Sequence, residues 1–518
     1  MSAFVECIAL ALNAAQRHSI SLDKSCSSRD LLQPRSKFPN YVGLRATRSF
    51  RAAREFEHTY SKPLLIVASA DLKSSASLAV PESEEKSVLT AVEKLYDKFP
   101  FPPDPLSDGP PPGYNFRWHY QTAHQFSLGY APSAKKEGAF RILDAGCGTG
   151  NCADFLAHLN PDAKVTAFDL SSGALALAKE RAQRSGVADR VTFHHMSIYD
   201  AKQLLEQEGH DGYDYINCVG VLHHLPDPAR GLQALKDVLK PGGVMHVFVY
   251  GELGRWEIML MQRAINILQG DQSGDYALGV DIGRRLFKSL PKDNRLRLRE
   301  EIRWADENRK DETFADMYVH PREVDFNIDS LFNWINGSGL TFLNFSNPNY
   351  WSPHRLLASD PELLARFNAL PTDAEGMQKR YRLVELLDPE GATHYEFFLG
   401  KPPLSPPVDW SDDAQLSSAV PRLSPCLHGW PSPSLLDYEF ELLTISPAQE
   451  KFLKACSDQS DQSCFGLMGP SGATGNKIQR VRQDESLTVG DIVSQIEGCT
   501  LDDVRSLIPR LVLLLERS

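Results

Sequence analysis

Alternating glycines follow an apolar segment near residue 146. Residues 142–150 read ILDAGCGTG, so Gly146, Gly148 and Gly150 stand at every second position. Glycine has no Cβ atom and lets the backbone come close to a ligand. The helix expected from Asn151 onward would point its N-terminal N–H groups and the positive end of its dipole to the same place. The segment therefore predicts a loop that forms one wall of a binding site.

Two aspartates indicate what that site binds. Asp169 closes the run VTAFD nineteen positions after Gly150 and can accept hydrogen bonds from a ribose diol. The stretch 148–153 also satisfies the loose G-x-G-x-x-A dinucleotide pattern, but the carboxylate of Asp144 would face a pyrophosphate unfavourably. The same carboxylate suits the ammonium group of a methionine moiety, directly or through water. These residues favour S-adenosylmethionine over a dinucleotide.

With these motifs the chain resembles the class I S-adenosylmethionine-dependent methyltransferases. Three later stretches carry the resemblance: YDYINCVGVLHHLPDP with the following helix and strand (213–250), a last helix and sixth strand (328–345), and an antiparallel seventh strand (394–402). The HHLPDP and LKPGG turns are most similar to those of small-molecule methyltransferases of quinone biosynthesis. The resemblance implies an α/β fold with a seven-stranded Rossmann-like sheet and helical cap insertions.

The resemblance also implies which residues contact the cofactor. They are Asp144, Gly146, Cys147, Gly148, Gly150, Asp169, Leu170, Ser197, Ile198, Cys218 and Val219. Ser197 and Ile198 would flank the adenine, although most relatives have an Asp where Ser197 stands. No metal site is expected, because the chain has no C-x-x-C or His-rich metal spacing.

Methyl transfer from a sulfonium is an in-line displacement, so the enzyme must align the reacting atoms and exclude water. A hydroxyl or acidic carbon acceptor also needs a base. His223 and His224 follow the fourth strand and have a suitable unperturbed pKa, and Tyr250 ends the fifth strand. The histidine pair could instead orient its loop and cap the next helix. Further candidates for contact with the acceptor are Glu252, Tyr318 and His320.

The charge of the chain is uneven. The 518 residues carry a net charge of −12, yet residues 1–70 hold ten Lys and Arg against five Asp and Glu. The acidic remainder disfavours binding to nucleic acid. Nine scattered cysteines predict reduced thiols, and no apolar run has the length of a transmembrane segment.

Residues 1–70 have the composition of a transit peptide. They are rich in Ser and Arg, poor in acids, and followed after IVASA by Asp71. We expect a plastid location. A mitochondrial presequence and a disordered cytosolic tail are the alternatives.

The remaining chain divides into three expected parts. Residues 82–402 form the methyltransferase domain, with substrate-cap insertions at 252–322 and 347–393, because both leave from carboxyl ends of strands. Tyr96, Tyr114, Phe116 and Trp118 either line a lid over the cofactor or pack the Pro-rich segment onto the domain. Trp256, Met259 and Met261 form either an acceptor wall or ordinary core.

Residues 403–435 are expected to be a Pro- and Ser-rich linker, and 436–518 a small helical unit that is winged-helix-like in spacing alone. Its acidic surroundings favour a protein partner or dimerisation over DNA binding. The stretch GPSGATGNK (469–477) fails the phosphate-loop rule, because Asn476 interrupts Gly-Lys and Ile478 follows.

The sequence thus predicts an S-adenosylmethionine-dependent methyltransferase that acts on a small-molecule acceptor. A non-catalytic cofactor-binding scaffold or assembly factor is one alternative. A protein methyltransferase is another, and an open pocket would favour it.

Overall fold

The computed structural model describes residues 81–106, 116–133, 140–406, 408–425, 427, 429–439, 441–456 and 487–517. The expectations for the leader (1–70), for Tyr114 and for the stretch 469–477 concern residues outside these ranges.

A seven-stranded sheet forms the centre of the protein. Its strands are β1 (Phe140–Ala145), β2 (Ala163–Asp169), β3 (Val191–His195), β4 (Tyr213–Val219), β5 (Leu239–Tyr250), β6 (Thr341–Phe345) and β7 (His394–Gly400). The order is β3-β2-β1-β4-β5-β7-β6, and β7 is antiparallel to both of its neighbours. The predicted α/β fold, with seven strands and an antiparallel last strand, is confirmed.

Helices cover both faces of this sheet. They are α1 (Glu82–Lys98), α2 (Tyr120–Leu128), α3 (Asn151–Leu159), α4 (Ser172–Ser185), α5 (Gln203–Glu208), α6 (Pro228–Val238) and, before β6, α11 (Ile328–Ser338). Because strand side chains alternate between faces, Ile142 joins one apolar core with α2 and α3, and Leu143 joins the other with α6 and α11.

The first insertion is helical and has its own core. It contains α7 (Glu252–Gln269), α8 (Tyr276–Ser289), α9 (Arg295–Arg299) and α10 (Asp311–Tyr318). Ile258, Met261 and Phe314 pack inside it, together with Leu95 of α1. The insertion is therefore joined to the N-terminal helix by apolar contact.

The second insertion does not form part of a cap. Its helices α12 (His354–Leu357), α13 (Pro361–Asn368) and α14 (Ala374–Leu387) belong to the core that holds α11. Phe367 and Val384 are buried there, and a carboxylate oxygen of Glu385 accepts the N–H of Ile328 at 3.1 Å. The prediction that residues 347–393 help to cap the substrate is wrong, because their apolar faces are used against the sheet.

The C-terminal region corrects two further expectations. It contains α15 (Asp413–Ser418), β8 (Val420–Leu423), β9 (Ser434–Leu436), β10 (Leu442–Thr444), α16 (Pro447–Cys456), α17 (Val489–Gln495), α18 (Leu501–Arg505) and β11 (Leu513–Glu516). Leu416 and Leu435 share one core with Phe452, so residues 403–435 are not simply a linker. The apolar end of the chain is a strand antiparallel to β8 rather than a helix, because its run of leucines is buried on both faces.

This region packs onto the methyltransferase sheet domain through α2. The side chain of Gln125 accepts the N–H of Leu515 at 2.6 Å and donates to the carbonyl of Leu513 at 2.5 Å. This side chain thereby pairs with backbone N–H and C=O groups at the edge of β11, as a neighbouring strand would. Among the described helices, none is long and apolar enough to cross a membrane.

Two buried histidines of α2 and its N-cap should make the stability depend on pH. Burial lowers the pKa of His119 to about 3 and that of His124 to about 4. The unfolded chain binds these protons near pH 6.5, so their contribution is complete above that pH and is lost as the pH falls below it. At pH 5 the loss should reach about 2 kcal/mol for each histidine.

Urea unfolding at pH 7.5 and pH 5 checks this. The variant His124→Gln should show a smaller decrease in the free energy of unfolding between the two pH values than the wild type. Equal decreases in the two proteins would contradict the assignment.

Candidate active site

A cavity of about 400 Å³ lies at the carboxyl ends of β1, β2, β4 and β5. This is where open α/β sheets bind their ligands, and the volume lies in the range of small-molecule sites. The cavity brings together most of the residues predicted from the sequence, and their contact with a cofactor stays a prediction. They are Asp144, Gly146, Cys147, Gly148, Asp169, Leu170, Ser197, Ile198, Val219, His224 and Tyr250.

Three predicted site residues do not line the cavity. A Cβ atom on Gly150 would lie 2.7 Å from the Cβ of Ala178, so this glycine lets α3 pack against α4. Cys218 is fully buried in the core of the sheet. His223 is also fully buried, with its ring centroid 4.0 Å from that of Tyr250. The predicted contacts of these three residues with the cofactor or acceptor are therefore corrected.

Asp144 places a carboxyl group in the floor of the cavity. Its Oδ1 accepts a hydrogen bond from Nδ2 of Asn217 at 2.8 Å, and its Oδ2 is buried without a hydrogen-bond partner. Burial raises the pKa of Asp144 to about 7, and the hydrogen bond from Asn217 and the nearby backbone N–H of Ala153 partly offset this effect. A buried acceptor without a partner is costly, so this oxygen is suited to a cationic ligand group.

Asp169 holds the glycine loop at the end of β2. Its Oδ2 accepts the N–H of Gly148 and its Oδ1 accepts the N–H of Ser171, both at 2.8 Å. Burial raises the pKa of its carboxyl group. Ser197, at the end of β3, accepts the N–H of Tyr199 at 3.3 Å and so caps a short turn beside the cavity.

A segment after α1, residues 99–106, lies against the glycine loop; we name it the strap. The carbonyl of Phe101 accepts the N–H of Thr149 at 3.1 Å, and the carbonyl of Pro102 accepts its hydroxyl at 2.7 Å. A Cβ atom on Gly148 would lie 2.3 Å from the Phe101 carbonyl oxygen. The close approach that Gly148 permits in this structure is therefore to the strap, whereas the sequence suggested a ligand.

Other contacts hold the strap at both sides of the cavity. The guanidinium of Arg181 donates to the carbonyls of Asp104 and Pro105 at 3.0 and 3.1 Å. On the opposite side, Nζ of Lys310 donates to the carbonyl of Pro103 at 2.7 Å. Tyr96 and Trp118 line the cavity, whereas Phe116 is buried in the core of the sheet domain.

An acid, two tyrosines and a histidine meet at the insertion side of the cavity. The hydroxyl of Tyr96 donates to Oδ1 of Asp316 at 2.8 Å, and that of Tyr250 lies 3.4 Å from Oδ2. His224 lines the same space. Burial raises the pKa of Asp316 and lowers that of His224, whose charged form the carboxylate of Asp316 favours. Sequence reasoning missed Asp316, because the stretch 311–318 reads as an ordinary amphipathic helix.

The hydrogen bond of His224 fixes its tautomer. Its Nδ1 lies 2.9 Å from the carbonyl oxygen of Arg322, and a carbonyl only accepts, so Nδ1 carries the proton. The neutral ring then has Nε2 as its basic atom. The ring stacks on that of His320, with the centroids 3.7 Å apart.

The remaining candidates from the insertion are engaged outside the cavity. Glu252 accepts from Nδ2 of Asn327 at 2.7 Å, and the hydroxyl of Tyr318 donates to Glu300 at 2.5 Å. Trp256, Met259 and Met261 do not line the cavity either. The residues of the first insertion that line the cavity are Lys310 and Asp316.

Comparison with known proteins agrees with this geometry. A family model described as "Methyltransferase domain" matches residues 136–264. An uncharacterized protein from Synechococcus sp. is 55% identical over 377 residues, which are 73% of this chain and 87% of that protein. The chain belongs to the class I S-adenosylmethionine-dependent methyltransferases.

Two more distant similarities complete the comparison. A "Ubiquinone biosynthesis O-methyltransferase" from Paracidovorax citrulli is 36% identical over 103 residues, which are 20% of this chain and 40% of that protein. The solved structure of PKMT2 from Rickettsia typhi in complex with AdoHcy is 14% identical, with a TM-score of 0.49 over 81% of this chain and 78% of that one.

The predicted cofactor of this methyltransferase, S-adenosylmethionine, is confirmed. The residues of the cavity fit it: Asp144 has an acceptor without a partner for an ammonium group, and Asp169 stands where a ribose diol is expected. Within the described ranges, no group of three or more His, Cys, Asp or Glu side chains could hold a metal ion.

Replacing Asp169 should weaken cofactor binding. Asp169→Ala removes an acceptor for the ribose and the bond that holds the glycine loop at Gly148, so we expect a loss of about 1–3 kcal/mol in calorimetric titration with S-adenosylhomocysteine. Asp211→Ala, whose side chain is 88% exposed, is the control and should bind like the wild type. Unchanged affinity of the Asp169 variant would show that the ribose is bound elsewhere.

Replacing Gly148 should release the strap. The Cβ atom of Gly148→Ala would clash with the Phe101 carbonyl, so trypsin should cut faster after Lys98, whose side chain is 49% exposed just before the strap. Gly209→Ala is a matched control, because Gly209 also has a positive φ of 67° but nothing within 4 Å of its Cβ position. Equal cleavage rates in both variants would mean that strain, not loss of the strap, explains the effect.

Proposed function

We propose that this methyltransferase acts on a small molecule and transfers the methyl group to a hydroxyl or an acidic carbon. The observation that carries the proposal is that His224, Asp316, Tyr96 and Tyr250 line the same cavity as Asp144 and Asp169. A general base and hydroxyl-bearing side chains thus share one space with the cofactor site. The similarity of part of the chain to ubiquinone O-methyltransferases also supports an oxygen acceptor.

The covering of the cavity supports a small acceptor over a protein. Leu89, Val92 and Tyr96 of α1 and Phe101 and Pro102 of the strap all line it. Since the strap is tied to the glycine loop on one side and to Lys310 on the other, a folded protein surface would have to displace it. A small acceptor can be enclosed and water excluded, as methyl transfer requires.

The side chains divide the chemistry between them. When bound, S-adenosylmethionine supplies an electrophilic methyl group on a positively charged sulfur. His224 can take the acceptor proton at Nε2, because its Nδ1 proton is held by the Arg322 carbonyl. Asp316 stabilises the resulting imidazolium, and Tyr96 and Tyr250 fix the orientation of the Asp316 carboxylate.

Apolar side chains favour an acceptor with a hydrophobic body. Val221, Leu225 and Phe248 line the cavity along with Leu89 and Val92. A ring or chain packed against them would leave a polar group for His224 and the tyrosines. A partly apolar phenol-like molecule fits both sets of contacts.

The variant His224→Asn tests the role of the base. With the purified chain, S-adenosylmethionine and an organelle extract, we expect S-adenosylhomocysteine to form at a rate at least about 100-fold lower than in the wild type. Because burial lowers the pKa of His224, the wild-type rate should be constant above pH 6.5 and should decrease at lower pH, where the imidazole gains a proton.

His210→Gln is the matched control. His210 pairs with Glu208 at 3.0 Å and does not line the cavity, so this variant should keep the wild-type rate. Loss of turnover in both variants would contradict a specific role for His224. Cofactor binding without turnover in any extract would favour the scaffold alternative.

We also propose that residues 1–70 direct the protein to plastids. The support is their composition, with ten Lys and Arg against five Asp and Glu and many serines. A fluorescent protein fused to residues 1–70 should enter plastids. Accumulation in mitochondria or cytosol would contradict the proposal.

A further inference from the structure

A row of polar side chains crosses the buried sheet beneath the cofactor end of the cavity. Asp144 on β1, Asn217 on β4 and His246 on β5 are direct neighbours in register. Glu396 on β7 lies diagonally to His246, two positions along the strand from the residue directly opposite it. The first three are 2%, 0% and 1% exposed. Polar groups buried to this degree must satisfy one another.

The distances show an unbroken chain of hydrogen bonds. Asn217 Nδ2 lies 2.8 Å from Asp144 Oδ1, and His246 Nδ1 lies 2.8 Å from Asn217 Oδ1. His246 Nε2 lies 3.0 Å from Glu396 Oε1. Only Asp144 and Asn217 reach the cavity, so the other two residues act on a ligand through them.

Two hydrogen-bonding patterns give each of the three contacts in this row one donor and one acceptor. In the first, Asp144 is ionised and accepts from the Asn217 amide, whose carbonyl accepts from His246; the imidazole donates from both nitrogens and is positively charged. In the second, the Asn217 amide is turned over. Asp144 is then protonated and donates to the amide carbonyl, the amide N–H₂ donates to Nδ1 of a neutral His246, and Nε2 still donates to Glu396.

Both patterns need Glu396 to stay ionised, and its neighbours ensure this. Arg117 Nε lies 2.8 Å from Oε2, and the hydroxyl of Ser346 donates to the same oxygen at 2.6 Å. Burial alone would raise the pKa of this carboxyl group, but Arg117, the contact with His246 and the Ser346 hydroxyl together hold it well below its usual range. Glu396 therefore anchors one end of the row as a fixed acceptor.

The surroundings favour the second pattern while no cation is present. Burial raises the pKa of Asp144 to about 7, and the negative charge of Asp169 adds to the effect. Burial also lowers the pKa of His246, against the pull of Glu396, and Arg117 lowers it further.

Besides Asp169, whose own pKa burial raises, further titratable groups interact with this row. Burial raises the pKa of the thiols of Cys147 and Cys152 and of the Tyr215 hydroxyl, and lowers that of His394 to about 4.

We propose that binding of the cofactor's ammonium group at Oδ2 of Asp144 converts the second pattern into the first. The Asp144 carboxyl group loses one proton, the Asn217 amide turns over, and His246 gains one proton at Nδ1. The number of protons bound by the row is unchanged, and no redox step occurs. His246 and Glu396 are thus positioning residues that let Asp144 carry a negative charge when a cation is bound to it.

Difference infrared spectroscopy of the full chain at pH 6.5 tests the proposal directly. S-adenosylhomocysteine should remove a protonated-carboxyl band, which Asp144→Asn should lack from the start. Methylthioadenosine has no ammonium group and should leave the band in place. A wild-type spectrum without any carboxyl band that the cofactor product removes would overturn the proposal.

Proton counting by calorimetry gives a second, independent test. Titrations with S-adenosylhomocysteine in buffers of different ionisation enthalpy should show almost no net proton release by the wild type between pH 6 and 8. In Glu396→Gln the imidazolium loses its anion, so Asp144 must give its proton to water. That variant should release up to about one proton, and its affinity should decrease up to about tenfold per pH unit below pH 7.

Glu208→Gln is the matched control. Glu208 also pairs with histidines, His194 and His210, each at 3.0 Å, but it does not line the cavity or touch the row. It should show the proton count of the wild type. Proton release by the wild type equal to that of Glu396→Gln, or a Glu396→Gln variant identical to the wild type, would overturn the proposal. If Glu396→Gln does not fold, the two wild-type results decide together: loss of the carboxyl band without net proton release supports the proposal, and loss of the band with release of about one proton overturns it. Both tests need cofactor binding only and do not depend on the acceptor.

Discussion

Asp144 places a buried carboxyl group at the end of β1, and the cofactor site is built around satisfying it. One of its oxygens is paired with Asn217, and the other is left for a ligand. A buried carboxylate without a countercharge is costly, so an empty site favours the protonated acid. The polar row that ends at Glu396 stabilises Asp144 from the side of the protein, and the cationic end of the cofactor stabilises it from the cavity.

The strap depends on the same end of the sheet. The N–H groups of the glycine loop that follows Asp144 are held by protein acceptors: those of Gly146 and Cys147 donate to the carbonyl of Phe168, that of Gly148 donates to Asp169, and that of Thr149 donates to the strap. Because α1 continues into the strap and also contacts the insertion through Tyr96 and Asp316, one segment of chain covers both ends of the cavity. The same segment, α1 with the strap, therefore covers both the cofactor end and the acceptor end of the cavity.

Much of this architecture was predictable from the sequence, because local signals and tertiary packing agree there. The glycine loop follows an apolar strand, and Asp144 and Asp169 lie at the ends of two such strands, whose carboxyl ends must meet at one edge of a parallel sheet. The antiparallel last strand was predictable from the resemblance to the family. His224 was also named, since a histidine after the fourth strand reaches this edge.

The sequence failed where long-range contacts decide the outcome. Asp316 lies on an ordinary helix, and only its packing against Tyr96, more than two hundred positions away, brings it to the cavity. The sequence pattern does not distinguish His223 from His224. In the structure the side chain of His223 is fully buried away from the cavity, whereas that of His224 lines it. The pattern of the last leucines predicts a helix, but in the structure they form a strand because they pair with β8. His246 and Glu396 lie on mainly apolar strands that are far apart in sequence, so the sequence does not predict that their side chains meet.

The role of Asp144 at the centre of the cofactor site can be tested by calorimetric titration of the full chain with S-adenosylmethionine and S-adenosylhomocysteine, in the wild type and in Asp144→Ala. We expect the wild type to bind one molecule of either compound per chain with micromolar affinity, and the variant to bind both at least about tenfold more weakly. Absence of binding to the wild type, or equal affinities in the two proteins, would contradict the assignment of this cavity and of Asp144 as its central residue.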